Sequence, residues 1–347
     1  MKESLQNKKD KISERKILEY IKAKSSFEKT LFFDLGVTVV RVICYSELFL
    51  PHIQKQLTYI LRDKADHYNA TIYLWQEDNL REMLHQEGFI AADDSNEPNL
   101  LEITLEENVL YLCSDETKTY FFGAEDLDPE ELVKKGHIFV QLFNKILKTP
   151  NTNLIHGACI GLNNHGILVC ARGQKGKSTL TVLSLLDGFE YVSDDYLTLE
   201  KENNKLYAYP IYSIITLSPR MYNEMYDKLE GTRFISNNAR KDKYVINIAK
   251  YHSHFKKKYP IDLCLVLEFT SDEEPSIVEA SKQEKSNAVA QMVHSTVFQM
   301  HDFFETVTVK KLIDMISCYR FYKICLCNNI YKNVECLRKF LEEYKYN

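Results

Sequence analysis

Short runs of alternating or continuous apolar residues dominate the first part of the chain, and longer segments with helical spacing appear between them. The run 30–44 is rich in β-branched and aromatic residues and is interrupted by Gly36, which predicts two strands and a turn. A helix is predicted over 51–62, because a proline stands in its first turn and its apolar residues share one face. Further strands are predicted at 70–75, 101–105, 109–113 and 119–123. Together these elements predict a small α/β domain over residues 28–150.

The segment that precedes this domain is charged, and its few apolar residues have helical spacing. Ile12, Ile17, Leu18 and Ile21 could form one weakly apolar face. Residues 1–27 are therefore interpreted as an N-terminal helix or arm that docks on the body of the protein. The alternative is a helix that binds a partner.

The boundary between two domains is placed at residue 150. An acidic stretch at 125–131 opens an amphipathic helix that is predicted to continue to Leu147 and to end at Pro150. Beyond it, strands are predicted at 205–217, as a pair around Pro210, and at 261–269 and 321–327, with helices at 282–304 and 331–344. This alternation predicts that residues 151–347 form an α/β domain with a mixed sheet.

The segment 165–188 carries the clearest chemical signal in the sequence. The run HGILVC at 165–170 is typical of a buried strand, and the eight residues ARGQKGKS follow it directly. From Ser178 to Asp187 apolar residues recur every third position, and Gly188 stands where a left-handed helix cap is usual. The order strand, loop, helix is the context that a phosphate-binding loop requires.

In such a loop the backbone N–H groups and the positive end of the helix enclose the phosphates of ATP. Lys177 then reaches the β- and γ-phosphate oxygens and Ser178 can hold Mg²⁺. Gly173 and Gly176 allow the backbone to approach the phosphates closely. Ala171 stands where the usual pattern begins with glycine, and the competing interpretation is an ordinary glycine-containing turn. The predicted nucleotide-binding residues are Ala171, Arg172, Gly173, Gln174, Lys175, Gly176, Lys177, Ser178 and Thr179.

Two carboxylates follow the next strand-like segment, FEYVS, at Asp194 and Asp195. A right-handed strand–helix–strand crossover makes the second strand parallel to the first, so both strands end at the same edge of the sheet. The acids should then face the phosphates. One carboxylate near Mg²⁺ and another near an acceptor hydroxyl is the division of labour that phosphoryl transfer needs. The competing interpretation is a helix cap or a solvated turn.

A basic segment offers a further candidate contact to the nucleotide. Arg240 and Lys243 precede the strand-like run YVINI, and either could close over the γ-phosphate. A solvated turn is the alternative for this charge run.

Composition and charge limit the other classes of function. The net charge of −5 provides no basic field for nucleic acid or an anionic membrane. The sequence has no run of about 18 apolar residues and no apolar signal core near its start, so we expect a cytoplasmic protein without a membrane partner. The 9 cysteines are scattered, which favours reduced thiols in the core.

Four short sequence elements and their spacing resemble the kinase domain of the bacterial HPr kinase family and its HPr-kinase-like relatives. A more distant resemblance is to ATP-type phosphoenolpyruvate carboxykinases. The four elements are Ile155-His156-Gly157, Lys177-Ser178, Gly188 and Asp194-Asp195. The resemblance covers about residues 130–345. It implies a P-loop-containing HPr-kinase/carboxykinase-like fold, preceded here by the smaller domain. Family roles carried onto matching residues make Lys177 the phosphate clamp, Asp195 the general base, His156 an active-site histidine, and Ser178 and Asp194 the metal site.

The predicted function is therefore an ATP- and Mg²⁺-dependent kinase that phosphorylates a hydroxyl of a peptide, a protein or a small molecule. The resemblance also implies a homo-oligomer. The family's second signature, an Arg-Gly segment with a metal-binding glutamate, is missing between 205 and 250, which argues against HPr as the substrate. Two alternatives stay open at this point: a nucleotide-binding regulator without catalysis, and a carboxykinase-like enzyme.

Overall fold

The structure, a computed structural model, describes residues 11–85, 100–106, 108–125, 137–171, 175–229, 232–234, 243–300 and 306–344. Contacts divide the chain into two compact units. The first contains the described residues up to Asp34, together with Thr38–Gln54 and Leu61–Leu142. The second contains Leu35–Val37, Lys55–Ile60 and the chain from Phe143 onward. The domain bounds at 27 and 150 stay predictions, because a division of contacts does not test whether either part folds alone.

The first unit is built on a mixed eight-stranded sheet. Its strands are β1 (Lys11–Ser13), β2 (Lys29–Asp34), β3 (Val39–Cys44), β4 (Leu61–Arg62), β5 (Ala70–Glu77), β6 (Leu100–Glu106), β7 (Val109–Ser114) and β8 (Thr119–Glu125). They lie in the order β1-β6-β7-β8-β5-β3-β2-β4. The helices here are α1 (Glu14–Lys24), α2 (Leu50–Leu57), α3 (Leu80–His85) and the start of α4 (Val140–Ile146).

The structure corrects two predictions in this part of the chain. Ile12 belongs to β1 and pairs with Leu101 of β6, so only Ile17 and Ile21 form the buried face of α1. The helix predicted over 51–62 ends at Leu57. A 3₁₀ turn follows, and Leu61 pairs with Phe33 in the sheet. The first part of the helix predicted to end at Leu147 lies outside the described residues.

The second unit is built on a nine-stranded sheet and a three-stranded sheet. Its further strands are β9 (Thr152–His156), β10 (Ala158–Leu162), β11 (His165–Cys170), β12 (Glu190–Ser193), β13 (Tyr196–Glu202), β14 (Lys205–Pro210), β15 (Ile214–Leu217), β16 (Thr232–Phe234), β17 (Lys243–Asn247), β18 (Tyr259–Phe269), β19 (Ser276–Glu279) and β20 (Arg320–Leu326). Its helices are α5 (Lys177–Leu186), α6 (Pro219–Glu224), α7 (Lys282–Met300), α8 (Thr306–Ile316) and α9 (Ile330–Glu343).

The large sheet has the order β12-β10-β11-β18-β14-β13-β9, and β20 pairs with both β18 and β19. The three-stranded sheet has the order β15-β17-β16. The two strands predicted around Pro210 are present, but the prediction that they pair with each other is wrong. β14 pairs with β13 and β18, whereas β15 pairs with β17, so the chain passes from one sheet to the other after Pro210.

Strand β11 shows why this sheet forms a core on both faces. Ile167 and Val169 pack in one buried apolar cluster, and Leu168 and Cys170 pack in another. Successive side chains of a strand point to opposite faces, so a strand covered on both sides needs a continuous apolar run. The run HGILVC is such a sequence. All nine cysteines are free thiols, and most of them are buried.

Two asparagine pairs form hairpin turns in the large sheet. Asn163-Asn164 joins β10 to β11, and Asn203-Asn204 joins β13 to β14. All four residues have positive φ, from 49° to 67°. A two-residue hairpin turn of type I′ requires this conformation at both central positions, and asparagine adopts it more readily than most residues. The starts of β10 and β13 lie at the opposite edge of their hairpins, away from these turns.

That opposite edge collects the segments that carry the predicted chemistry. β10 lies between β11 and β12 and is antiparallel to both, so β11 and β12 are parallel to each other, as predicted. Their carboxyl ends therefore lie at the same edge as the start of β10. The connection between β9 and β10 meets the connection between β12 and β13 there, where Gly157 N–H donates to Asp195 O over 2.9 Å.

Candidate functional site

The amino end of helix α5 is defined by Gly176, whose φ of 88° is left-handed. A Cβ at this position would lie 3.2 Å from Leu326 Cδ1. Both the backbone conformation and the close approach therefore favour glycine. Before it, Ala171 is half-buried after β11 and Lys175 is exposed, with its Nζ 5.9 Å from the centre of the Phe269 ring. Arg172, Gly173 and Gln174 lie outside the described residues.

Lys177, Asp194 and Asp195 come together in front of this helix, and we name them the charged cluster. Lys177 Nζ donates to Asp194 Oδ1 over 2.5 Å and to Asp195 Oδ1 over 2.8 Å. Asp194 is fully buried, and the side chains of Lys177 and Asp195 are 7% and 18% exposed. The sequence prediction that the acids after β12 face the start of α5 is therefore matched by these contacts. Their assignment to nucleotide and metal stays a prediction.

Burial and attraction act in opposite directions on the charged cluster. Burial lowers the pKa of Lys177, but the two carboxylates outweigh it and raise that pKa, so the ammonium keeps its charge. Burial raises the pKa of Asp194, while Lys177 and a hydrogen bond from Ser178 lower it in part. With both acids ionised, the cluster has one positive and two negative charges. Its electrostatic balance favours one further cation.

One buried oxygen of the cluster offers a place for that cation. Asp194 Oδ2 is buried and has no hydrogen-bond partner among the described residues. The half-buried Ser178 lies close enough to lower the pKa of the same carboxylate, so a hydroxyl oxygen stands near it. Mg²⁺ prefers oxygen ligands and is usually held by one or two protein carboxylates, with phosphates and water completing its shell. The residues present fit such an ion. No group of three or more histidine, cysteine or acidic residues with metal-site geometry occurs in the described part of the chain.

His156 contacts the outer side of the charged cluster. Its Nε2 lies 3.6 Å from Asp195 Oδ1, and its side chain is 10% exposed. The backbone N–H of His156 donates to Thr296 Oγ1 of α7 over 3.0 Å, which fixes the end of β9. The ring centre lies 5.4 Å from that of Tyr196. His156 is thus brought to the carboxylate that the sequence marks as the base.

Asp195 has an unusual backbone. Its φ is 65°, in the left-handed region, although it is not glycine. Tyr196 N–H donates to Asp194 O over 2.9 Å across this turn. Aspartate tolerates the left-handed region better than most residues, but outliers of this kind are concentrated at functional sites. The turn gives Asp195 a direction that an extended residue would not have.

Lys243, one of the two predicted basic contacts, is not part of this cluster. Lys243 is exposed at the start of β17, in the three-stranded sheet. None of the hydrogen bonds or ion pairs between described residues joins it to Lys177, Asp194 or Asp195. Arg240 lies outside the described residues. Thr179 is half-buried on α5.

Sequence reasoning missed residues of other elements that hold His156 or lie at the amino end of α5. Thr296 lies in a helix predicted only as amphipathic, and nothing in its spacing indicates that it holds His156. Phe269 and Arg220 lie next to the amino end of α5 through the ends of β18 and α6. The one local sequence signal for the amino end of α5 is a phenylalanine at the end of the apolar run 261–269.

Comparison with known proteins adds little to these contacts. No family model and no curated protein matches the chain. Among the solved structures that are similar to it is the HPr(Ser) kinase/phosphatase from Coxiella burnetii. The two share 12% identity and a TM-score of 0.30, over 55% of this chain and 92% of that one. A likeness this low carries no argument about function. No helix in the described residues has the length and apolarity needed to cross a bilayer.

Proposed function

We propose that the protein is an ATP- and Mg²⁺-dependent kinase that transfers the γ-phosphate to a hydroxyl of a peptide, a protein or a small molecule. The observation that carries this proposal is the charged cluster at the amino end of α5, with a buried lysine bonded to two carboxylates. A turn with only a structural role is not expected to contain three buried or partly buried charges, since burying each charge costs solvation free energy.

Phosphate binding is assigned to the end of α5. The free N–H groups of its first turn and the positive end of the helix attract anions. Lys177 lies in this turn and carries a retained charge. When a triphosphate is bound, we expect Lys177 to exchange carboxylate contacts for phosphate oxygens. That exchange frees the two acids for their separate roles.

Asp194 and Ser178 are assigned to Mg²⁺. The buried Asp194 Oδ2 and the Ser178 hydroxyl are hard oxygen ligands on one side of the helix end. When bound, the ion neutralises charge on the β- and γ-phosphates. Before ATP binds, Lys177 holds the other oxygen of Asp194, and the complete burial of this side chain limits its movement once Lys177 has turned to the phosphates.

Asp195 is assigned as the general base. It is the more exposed of the two acids, so an acceptor hydroxyl can reach it. The acceptor oxygen forms a bond to the γ-phosphorus while the bond from that phosphorus to the β–γ bridging oxygen breaks and ADP leaves. The acceptor proton goes to Asp195. His156, in contact with the same carboxylate, is placed to orient it.

The test is transfer of label from γ-labelled ATP, with Mg²⁺, to a peptide library, to proteins of a cell extract and to water. Lys177→Met should remove ATP binding and transfer. Asp195→Asn should keep ATP binding and lower the turnover by about 10²- to 10⁴-fold, since it removes only the base. Lys339→Ala, which removes an exposed lysine on α9, is the control and should change neither.

Two outcomes would count against this proposal. Full turnover in Asp195→Asn would refute the assignment of the base. ATP binding by the wild type without transfer to peptide, protein or water would support a nucleotide-binding regulator instead.

A further inference from the structure

A second feature lies beside the charged cluster, on the other side of the end of α5. A pocket of about 140 Å³ is lined there by α5, α6 and the ends of β18 and β20. Its walls include Leu180, Leu183, Met221, Phe269, Leu326 and Ile330. These side chains are apolar, and Gly176 and Thr179 form the wall nearest to the start of the helix.

The spacing of residues on α5 separates the pocket from the cluster. Positions 176, 179, 180 and 183 follow the i, i+3, i+4, i+7 pattern of one helical face, and all of them line the pocket. Lys177 points away from that face, toward Asp194 and Asp195. On a helix with 100° per residue, Lys177 is about 100° from Gly176 and about 60° from Leu180, so it lies beside that face and not within it. A ligand bound across the end of α5 can therefore touch both places.

The size of the pocket limits what it can hold. An engineered apolar cavity of about 150 Å³ in another protein binds benzene, and whole ligands of drug size need roughly 300–1,000 Å³. A pocket of about 140 Å³ therefore suits one planar ring system and not a complete nucleotide. The rest of such a ligand must lie outside, along the start of the helix.

The rim of the pocket has groups that suit an aromatic, polar ligand. Phe269 is 55% exposed at the end of β18, so the face of its ring can be reached from solvent. Arg220 and Asn328 are exposed at the same rim, and their side chains have no hydrogen-bond or ion-pair partner among the described residues. A ring that stacks on Phe269 could bond to either of them.

We propose that this pocket holds the base of the nucleotide, with the triphosphate crossing the end of α5 and the γ-phosphate facing Asp195. The inference rests on the proposed function, because it assigns the base of the same ATP. It sets the direction of the nucleotide: base against Phe269 and Leu183, α-phosphate near Thr179, terminal phosphate at the charged cluster.

The experiment compares Mg·ATP with Mg·tripolyphosphate, which has the phosphates without base or ribose. Calorimetric titrations are made on the wild type and on Phe269→Ala, Met221→Trp and Tyr226→Ala. Phe269→Ala removes the stacking surface and Met221→Trp fills the pocket from the opposite wall. Tyr226→Ala removes another aromatic residue, 62% exposed, that does not line the pocket.

We expect Phe269→Ala and Met221→Trp to weaken ATP binding by about 5- to 100-fold, the range of a lost base–aromatic contact, and to leave tripolyphosphate binding unchanged. Tyr226→Ala should change neither. Phe269 is mostly exposed, so its variant should fold even if Met221→Trp does not.

Three results would overturn the inference. Unchanged ATP affinity in the folded pocket variants would remove the base from the pocket and leave the proposed function standing. Equal weakening of ATP and tripolyphosphate would place the effect on the phosphates, for example through the contact of Lys175 with Phe269. No binding of either ligand by the wild type would refute the proposed function, and this inference with it.

Discussion

Ion pairs of similar length occur in two very different settings in this protein. On α9, Lys339 Nζ lies 2.7 Å from Glu335 Oε1, and both side chains are more than 60% exposed. In the charged cluster, Lys177 lies at 2.5 and 2.8 Å from its two acids and is almost wholly buried. The distances are nearly equal, so distance cannot be what distinguishes them.

Burial separates the two settings. An exposed pair is solvated whether it forms or not and contributes about 0–1 kcal/mol. In the charged cluster each group has lost water, and the loss is repaid only while every partner is present. The difference teaches that the exposed pair is optional, whereas the cluster is a balanced set in which both acids need the charge of Lys177.

The largest loss of stability is expected when the buried charged cluster is disrupted. Lys177→Met leaves two acids without their cation and should lower the free energy of unfolding by about 3–5 kcal/mol. Urea unfolding measures it. Adding Asp194→Asn to Lys177→Met removes one of the unpaired charges and should recover part of the loss. A double variant no more stable than Lys177→Met would contradict the balanced set.

The same variant should show a characteristic dependence on pH. The pKa of Asp194 is raised by burial, so ionising it in the folded state costs stability as pH rises through that pKa, starting from the unfolded value of about 3.9. Lys177 normally offsets this cost, and the raised pKa of Lys177 keeps it charged to above its unfolded value of about 10.4. The deficit of Lys177→Met should therefore grow with pH and be larger at pH 8 than at pH 5. Equal deficits would show that the charge of Asp194 is not involved.

A smaller loss of stability should follow from replacing Gly176, the residue before Lys177. Gly176→Ala adds a Cβ to a residue with left-handed backbone, which costs about 1–2 kcal/mol of stability. The added Cβ also lies close to Leu326. Gly188→Ala is the matched control, because Gly188 has the same φ of 88° and no atom within 4 Å of its Cβ. Only Gly176→Ala should also weaken ATP binding. Equal losses of stability and affinity in both variants would show that Gly176 has no special relation to the cluster.

The smallest effect is expected at the exposed pair. Lys339→Ala should change the free energy of unfolding by no more than about 0.5 kcal/mol, because water replaces the lost contact. Thermal unfolding of the wild type and the variant measures it. A loss as large as that of Lys177→Met would abolish the distinction between the two settings.

Local sequence patterns were sufficient for the elements that carry the cluster. The strand at 165–170, the helix after it and the strand before Asp194 are all present near their predicted bounds. Each depends on residues close in the chain: a continuous apolar run, helical spacing ended by Gly188, and a β-rich segment ended by acids. The parallel direction of β11 and β12 followed from the handedness of the crossover, which is also a local property.

The remaining features depend on distant partners and could not be predicted. Nothing in the run ACIGL at Ala158–Leu162 indicates that β10 lies between β11 and β12. Apolar strands buried on both faces look alike, so strand order is decided by packing across the sheet. The burial of Asp194 and the contact of His156 with Thr296 follow from that order. The pocket beside α5 is formed with elements about 40 to 150 residues away in the chain.

The two asparagine turns have a consequence for engineering this protein. Asn163-Asn164 and Asn203-Asn204 are exposed, and each lies at the far end of its hairpin from Gly157 or Asp195. Exposed turn tips are the positions that best tolerate new termini and inserted sequences. An epitope or a fluorescent reporter could therefore be inserted at either turn without cutting the connections that present the buried charges.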